Sequence, residues 1–356
     1  MSSLFDSYRM GNLHLPNRIV MAPMTRARAT PDGMPTESLA TYYAQRATAG
    51  LIVSEGVQPS LQGQSNPYTP GLHSDRQVEA WRTVTGAVHA NGGRIFAQIM
   101  HAGRVGHPEV VGFTPVGPSA VAPKIELFTG PKGILPAPTP RALATDEVAN
   151  EVNSYVEAAR RAVQAGFDGV ELHGANGYLI QQFLSSNANL RTDGYGGSIN
   201  GRIRFAVEVA EATSEAIGAE RVGIRLSPGG DFWDIQEDDV PELYDALLRA
   251  LEPIGLTYIH TLASADEAVL KNMRAIWSNA FIVNPSVVNS DNPADRPSGE
   301  FWLNQGADLV SYGRAYLANP DLVERFRVNA ALAEPDPDTI YQGGDKGYID
   351  YPSLQH

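Results

Sequence analysis

The chain has 356 residues, 43% of them apolar, and a formal net charge of −13. That acidity excludes a general nucleic-acid surface, which requires clustered cations, and no apolar run reaches the roughly 20 residues of a membrane span. There is no cysteine, which excludes disulfides, thiolate zinc sites and cysteine-held iron–sulfur clusters.

In chain order, the opening MSSLFDSYRMGNLHLP lacks the basic and apolar regions of a secretory signal, so a cytoplasmic protein is expected. These residues are predicted to form a hairpin. The first buried strand is NRIVMAPMTR (17–26), followed by AGLIVSEG (49–56) and GRIFAQIMH (93–101). Then come AGFDGVELHG (165–174), RVGIRLS (221–227), IGLTYIHT (254–261), AFIVNP (280–285) and QGADLVSYG (305–313). In four of these a Gly closes the preceding helix, where left-handed φ is needed, and a continuous apolar run follows, as in a strand buried on both faces.

Helical patterns separate most of the strands. The clearest is TDEVANEVNSYVEAARRAVQAG, in which Thr145 or Asp146 can cap and Val148, Val152, Val156 and Val163 recur at helical spacing. Eight parallel strands alternating with helices predict a single (β/α)8 TIM barrel over 1–356, a fold whose typical length is about 250 residues. The surplus falls in the N-terminal hairpin and in a Pro- and Gly-rich excursion after the third strand (104–141), expected on the substrate side. The rest lies in an extended connection after the seventh strand (286–300) and a C-terminal tail (338–356).

Barrel active sites sit at the C-terminal ends of the strands. The polar residues there are Thr25, Glu55, Gln98, His173, Asn176, Tyr178, Arg225 and Arg314. They are mostly neutral hydrogen-bond formers, which suits a polar heterocycle better than hydrolysis. The only lysines are Lys124, Lys132, Lys271 and Lys346, and none ends a strand, which argues against Schiff-base chemistry. Glu55 lacks the second strand-end carboxylate of a glycosidase and reads as a structural acceptor. No metal site is expected.

APMTR (22–26), AQIMHAGR (97–104), HGANGYLIQQFL (173–184), NLRTDGYGGS (189–198), GRAYLANPDL (313–322) and GYIDYP (347–352) together resemble the old yellow enzyme family. The likeness runs in order along nearly the whole chain. It implies an FMN-dependent ene-reductase that reduces the C=C bond of activated alkenes with NADPH or NADH in a ping-pong cycle, as a monomer or homodimer. By the same resemblance, Ala22, Pro23, Met24 and Thr25 meet the flavin ring, with Gly56 also on the cofactor. Gln98 reads its pyrimidine edge, Arg225 stands beside the edge where charge develops, and Gly313 and Arg314 bind its phosphate.

The resemblance further implies that His173 and Asn176 bind the carbonyl or nitro oxygen of the alkene and that Tyr178 supplies a proton. Three residues apart, His173 and Asn176 are expected on one face of a first helical turn. Tyr68, Met100 and Tyr348 are expected to line the substrate mouth, Met100 standing where many relatives carry Trp. Pro285 stands where the family commonly has Gly; it offers no N–H to a phosphate, so either Ser286 or Asn284 substitutes by side chain or FMN is held less tightly. Nitro-compound or nitrate-ester reduction is a second enzymatic reading, and a non-catalytic aromatic-ligand-binding flavoprotein a third.

Overall fold

The computed structural model describes residues 2–285 and 294–354. Eight parallel strands close into a barrel: β1 (Ile19–Met21), β2 (Leu51–Val57), β3 (Ile95–Ile99), β4 (Gly169–Gly174), β5 (Val222–Leu226), β6 (Tyr258–Leu262), β7 (Ala280–Asn284) and β8 (Leu309–Tyr312). All eight coincide with the apolar runs read from the sequence. Each is followed by helix, including α1 (Glu37–Ala44), α2 (Asp75–Ala90), α3 (Thr145–Gln164), α4 (Ile199–Ile217), α5 (Val240–Leu251), α6 (Glu267–Ile276), α7 (Arg296–Asn304) and α8 (Leu322–Val328). Among the described residues, no helix is long and apolar enough to cross a membrane.

The period-two alternation of strands divides each one between two environments. Outward residues such as Ile19, Ile52, Ala97, Leu172, Ile224, Ile259, Val283 and Val310 join the large core beneath the helices. Inward residues form layers. At the base, Val20, Leu51, Val53, Phe96, Tyr258, Ile282 and Leu309 pack together. The hairpin Tyr8–Met10/Leu13–Leu15 plugs this end with Met10 and Leu15. One step further along the same strands the interior turns polar: Gln98, Glu171, Arg225, His260 and Ser311, all buried.

Helix α3 buries Val148, Val152 and Val156 as expected, but Val163 is only half-buried. Neither Thr145 nor Asp146 caps it. Ala144 is the cap residue, Glu147 Oε2 accepts from its N–H at 2.8 Å, and the Thr145 hydroxyl donates to Asp193 instead. The excursion after β3 is built from a parallel pair, Val116–Gly117 with Arg141–Ala142, and a hairpin, Glu126–Phe128 with Ile134–Pro136. Its Val105 and Leu127 pack in one cluster with Met100 and Tyr178.

The tail is fastened to the end of β1 by two buried arginines. Arg26 donates to Ile340 O (3.0 Å) and Gly347 O (2.9 Å), and Arg28 to Ile340 O (2.8 Å) and Gly344 O (3.2 Å). Charge-assisted bonds of this kind are the stronger class. They hold the chain near 340 over the open end of the barrel.

Candidate active site

The C-terminal strand ends enclose a cleft of about 340 Å³. It is lined by Ala22, Pro23, Met24 and Thr25 after β1, Gln98 and Met100 from β3, and His173, Asn176 and Tyr178 from β4 onward. Arg225 from β5 and Gly313 and Arg314 after β8 also line it, each of them expected from the sequence. Arg314 is exposed at the rim.

The turn after β4 differs from expectation. His173 is still in the strand, and Asn176 lies in the left-handed region at φ 55°, followed by Gly177 at φ 78°. A tight turn, not a helical one, therefore joins His173 to Asn176. Asn tolerates this conformation because its short polar side chain suits local hydrogen bonding. The turn is locked from behind: Asn176 N–H donates to Ser227 Oγ (2.9 Å), Gly177 N–H to Gln181 Oε1 (2.7 Å), and Gln182 Nε2 to Gly177 O (2.8 Å). Tyr178 then caps the short helix Leu179–Leu184.

Electrostatics follow from burial. His173 is pushed down to about 3 by burial and by Arg225 nearby, so its imidazole is neutral. Burial pushes the Tyr178 phenol up to about 12, above the usual value assumed from sequence, so it stays protonated. Arg225 is lowered to about 10 by burial and remains cationic at neutral pH. Three buried atoms here have no hydrogen-bond partner among the described residues: His173 Nδ1, Asn176 Oδ1 and Arg225 Nε. Leaving such a group unsatisfied costs about 1–3 kcal/mol, which makes each a place for a ligand atom.

Three expected site residues lie elsewhere. Tyr348 is fully buried, its ring stacked on Tyr42 with centroids 4.2 Å apart and with Arg26 and Arg28 over it. It belongs to the tail clamp, and Ile340 and Tyr341 line the cleft on that side instead. Gly56 faces Met100: a Cβ there would meet Met100 Sδ at 2.5 Å, so Gly56 makes room for a lining residue and is not one itself. Tyr68 is 41% exposed at φ 60° and does not line the cleft.

Asn284 does line the cleft, but its amide nitrogen donates to Ser311 O (2.9 Å) and Oγ (3.0 Å). Its remaining polar atom is a carbonyl oxygen, the wrong sign for a phosphate. Ser286 lies outside the described residues. Glu55 is a structural acceptor, taking the Arg26 N–H at 3.2 Å. Leu262 and Leu317 also line the cleft without having been singled out in the sequence. Also unforeseen is the carboxylate beneath Gln98, Glu171, whose only signal was its position two residues before His173 on an alternating strand.

The sequence model of the NADH:flavin oxidoreductase / NADH oxidase family matches residues 3–333. A probable flavin mononucleotide-dependent alkene reductase of Leishmania infantum is 40% identical over 97% of this chain and 96% of that protein. Morphinone reductase, solved in complex with tetrahydroNAD, is 43% identical, with a TM-score of 0.93 over 100% of this chain and 98% of that one. An old yellow enzyme homologue from Zymomonas mobilis is 39% identical, with a TM-score of 0.94 over 99% and 100%.

Proposed function

This chain belongs to the NADH:flavin oxidoreductase / NADH oxidase family, and on that premise we infer an old yellow enzyme-type reductase, FMN-dependent and supplied by NAD(P)H. It reduces the C=C bond of activated alkenes, α,β-unsaturated carbonyl or nitro compounds. The residues present fit the cofactor. Gln98 and Arg225 offer an amide and a fixed cation to a polar ring edge, Arg225 Nε lacks a protein partner, and Thr25 and Met24 border the same cleft. Gly313 and Arg314 would hold the phosphate. When bound, FMN would carry hydride from the nicotinamide to the alkene β-carbon.

The chain's own residues would then act on the alkene. His173 and Asn176 hold its carbonyl or nitro oxygen and stabilise the negative charge that grows there. A neutral imidazole donates a hydrogen bond without placing a second cation beside Arg225. Tyr178 gives a proton to the α-carbon, for which a phenol held in its protonated form is suited. Val105 and Leu127 of the excursion pack with Met100 and Tyr178, which supports a substrate-side role for that segment.

The observation that carries these roles is the buried imidazole of His173, with no partner for Nδ1, beside a phenol that remains protonated. Purified protein incubated with FMN is expected to show a yellow flavin spectrum and to consume NADPH or NADH when cyclohexenone is added. A preparation that stays colourless in excess FMN would overturn the reading.

A further inference from the structure

Glu171 is fully buried inside the barrel, two residues before His173 on β4, and takes no part in the chemistry above. Three donors converge on its carboxylate: Gln98 Nε2 at 2.8 Å, His260 Nδ1 at 2.8 Å and Tyr258 OH at 3.1 Å. A buried carboxylate persists only where such bonds replace water.

The directions of these bonds are fixed by their neighbours. Glu171 is ionised and can only accept, which makes His260 Nδ1 the donor and leaves Nε2, 2.7 Å from Ser311 Oγ, to accept the Ser311 hydroxyl proton. His260 therefore carries its proton on Nδ1 and gives it to Glu171. One proton of Gln98 Nε2 is likewise committed to Glu171, which fixes which way round the Gln98 amide stands beside the cleft. Arg225 Nη1 lies 3.0 Å from His260 Nδ1 and 2.5 Å from its Nε2, and Glu171, bonded to the same ring, is the carboxylate whose charge acts on Arg225.

We propose that Glu171 is the positioning residue of the flavin site, fixing through Gln98 and His260 which amide atom meets the flavin and how much of the Arg225 charge the flavin feels. This rests on the reading that FMN occupies the cleft. Charge accounts for the second half of the role. A reduced flavin is more anionic than an oxidised one, so an uncompensated Arg225 favours it and a carboxylate behind Arg225 moderates that preference. Burial alone would raise the Glu171 carboxyl, but the facing groups hold it below its ordinary value, and burial with Arg225 pushes His260 down to about 4. The pair is thus a carboxylate and a neutral imidazole.

The test measures, for wild type, Glu171→Gln and Glu171→Asp, the affinity of the apoprotein for FMN and the two-electron potential of the bound flavin. Glu171→Gln removes the charge at constant volume. The ratio of reduced to oxidised FMN affinity should rise at least about tenfold, a shift of about 30 mV to more positive potential. Oxidised FMN should bind about tenfold more weakly, because Gln98 and His260 bond different oxygens of Glu171 and an amide keeps only one of the two as an acceptor. Glu171→Asp keeps the charge but withdraws it from Gln98, so FMN binding should weaken about tenfold while the ratio stays within about twofold. If Glu171→Gln does not fold, judged by circular dichroism, the aspartate variant still decides the amide half. A merely structural role would weaken both flavin states equally and leave the ratio unmoved in Glu171→Gln. That result, or unchanged affinity in both variants, would overturn the proposal; wild-type protein that holds no FMN would instead overturn the function proposed above.

Discussion

The rings of His173 and Tyr178 lie 5.0 Å apart between centroids, tilted by 44°, although one residue ends a strand and the other begins a helix. The left-handed turn through Asn176 and Gly177 folds them together. The oxygen binding and proton donation proposed above thereby fall to two side chains that touch the same small volume, and they can be separated by mutation.

Tyr178→Phe should leave the anaerobic oxidation of NAD(P)H by the holoenzyme at the wild-type rate. Turnover of poorly activated alkenes should fall by ~10²–10⁴, the usual worth of a positioned general acid. Stopped-flow measurement of the two half-reactions checks this; equal losses in both would contradict the proton-donor role.

Asn176→Gly keeps the turn, since glycine adopts positive φ freely, and removes only the amide side chain. Alkene turnover should drop by ~10²–10³, as for loss of one oxyanion donor, and the absorbance change on titrating a phenol should weaken with it. Asn176→Ala, which keeps a Cβ in the left-handed region without the amide, should be less stable than Asn176→Gly by about 1–2 kcal/mol. Phenol titration curves that superimpose on wild type would remove Asn176 from the oxygen-binding pair.

Gly56→Ala should push Met100 into the cleft, because the new Cβ would sit 2.5 Å from its sulfur and 3.1 Å from its Cβ. Overpacking of this kind costs about 1–3 kcal/mol. Adding Met100→Ala should recover the melting temperature and reopen the cleft. A Gly56→Ala protein as stable as wild type would show that the contact relaxes without loss.

Burial raises the Glu55 carboxyl from 4.5 to about 7. The folded chain therefore holds a proton there that the unfolded chain has lost between about pH 4.5 and 7. Stability contributed by this group falls as pH rises through that window and is constant below it. Glu55→Gln cannot ionise, so its melting temperature relative to wild type should climb from about pH 4.5 to 7 and level off above. A difference that does not vary with pH would mean Glu55 titrates normally.

The barrel was legible because each of its strands is a mostly apolar run buried on both faces and each is punctuated by helix, a pattern the chain repeats from Ile19 to Tyr312. The strand-end residues Thr25, Gln98, His173, Tyr178 and Arg225 were legible for a related reason: once the strands are assigned, the fold dictates where their ends converge. Gly56 and Tyr348 were misplaced because sequence position says which strand or tail a residue belongs to, not which way its side chain faces. Tyr348 turns inward to stack on Tyr42, and Gly56 yields its space to Met100.

The sequence by itself determined the number and order of strands, the barrel and the set of residues at its open end, because these depend on local periodicity and on a topology with few alternatives. Only the tertiary structure decided the state of those residues. The neutrality of His173, the direction of the Glu171–His260 hydrogen bonds and the seating of Tyr341 by Arg26 and Arg28 arise from groups distant in sequence, brought together where water is excluded. In that setting a proton or an amide orientation is set by the neighbours present, and no local pattern encodes them.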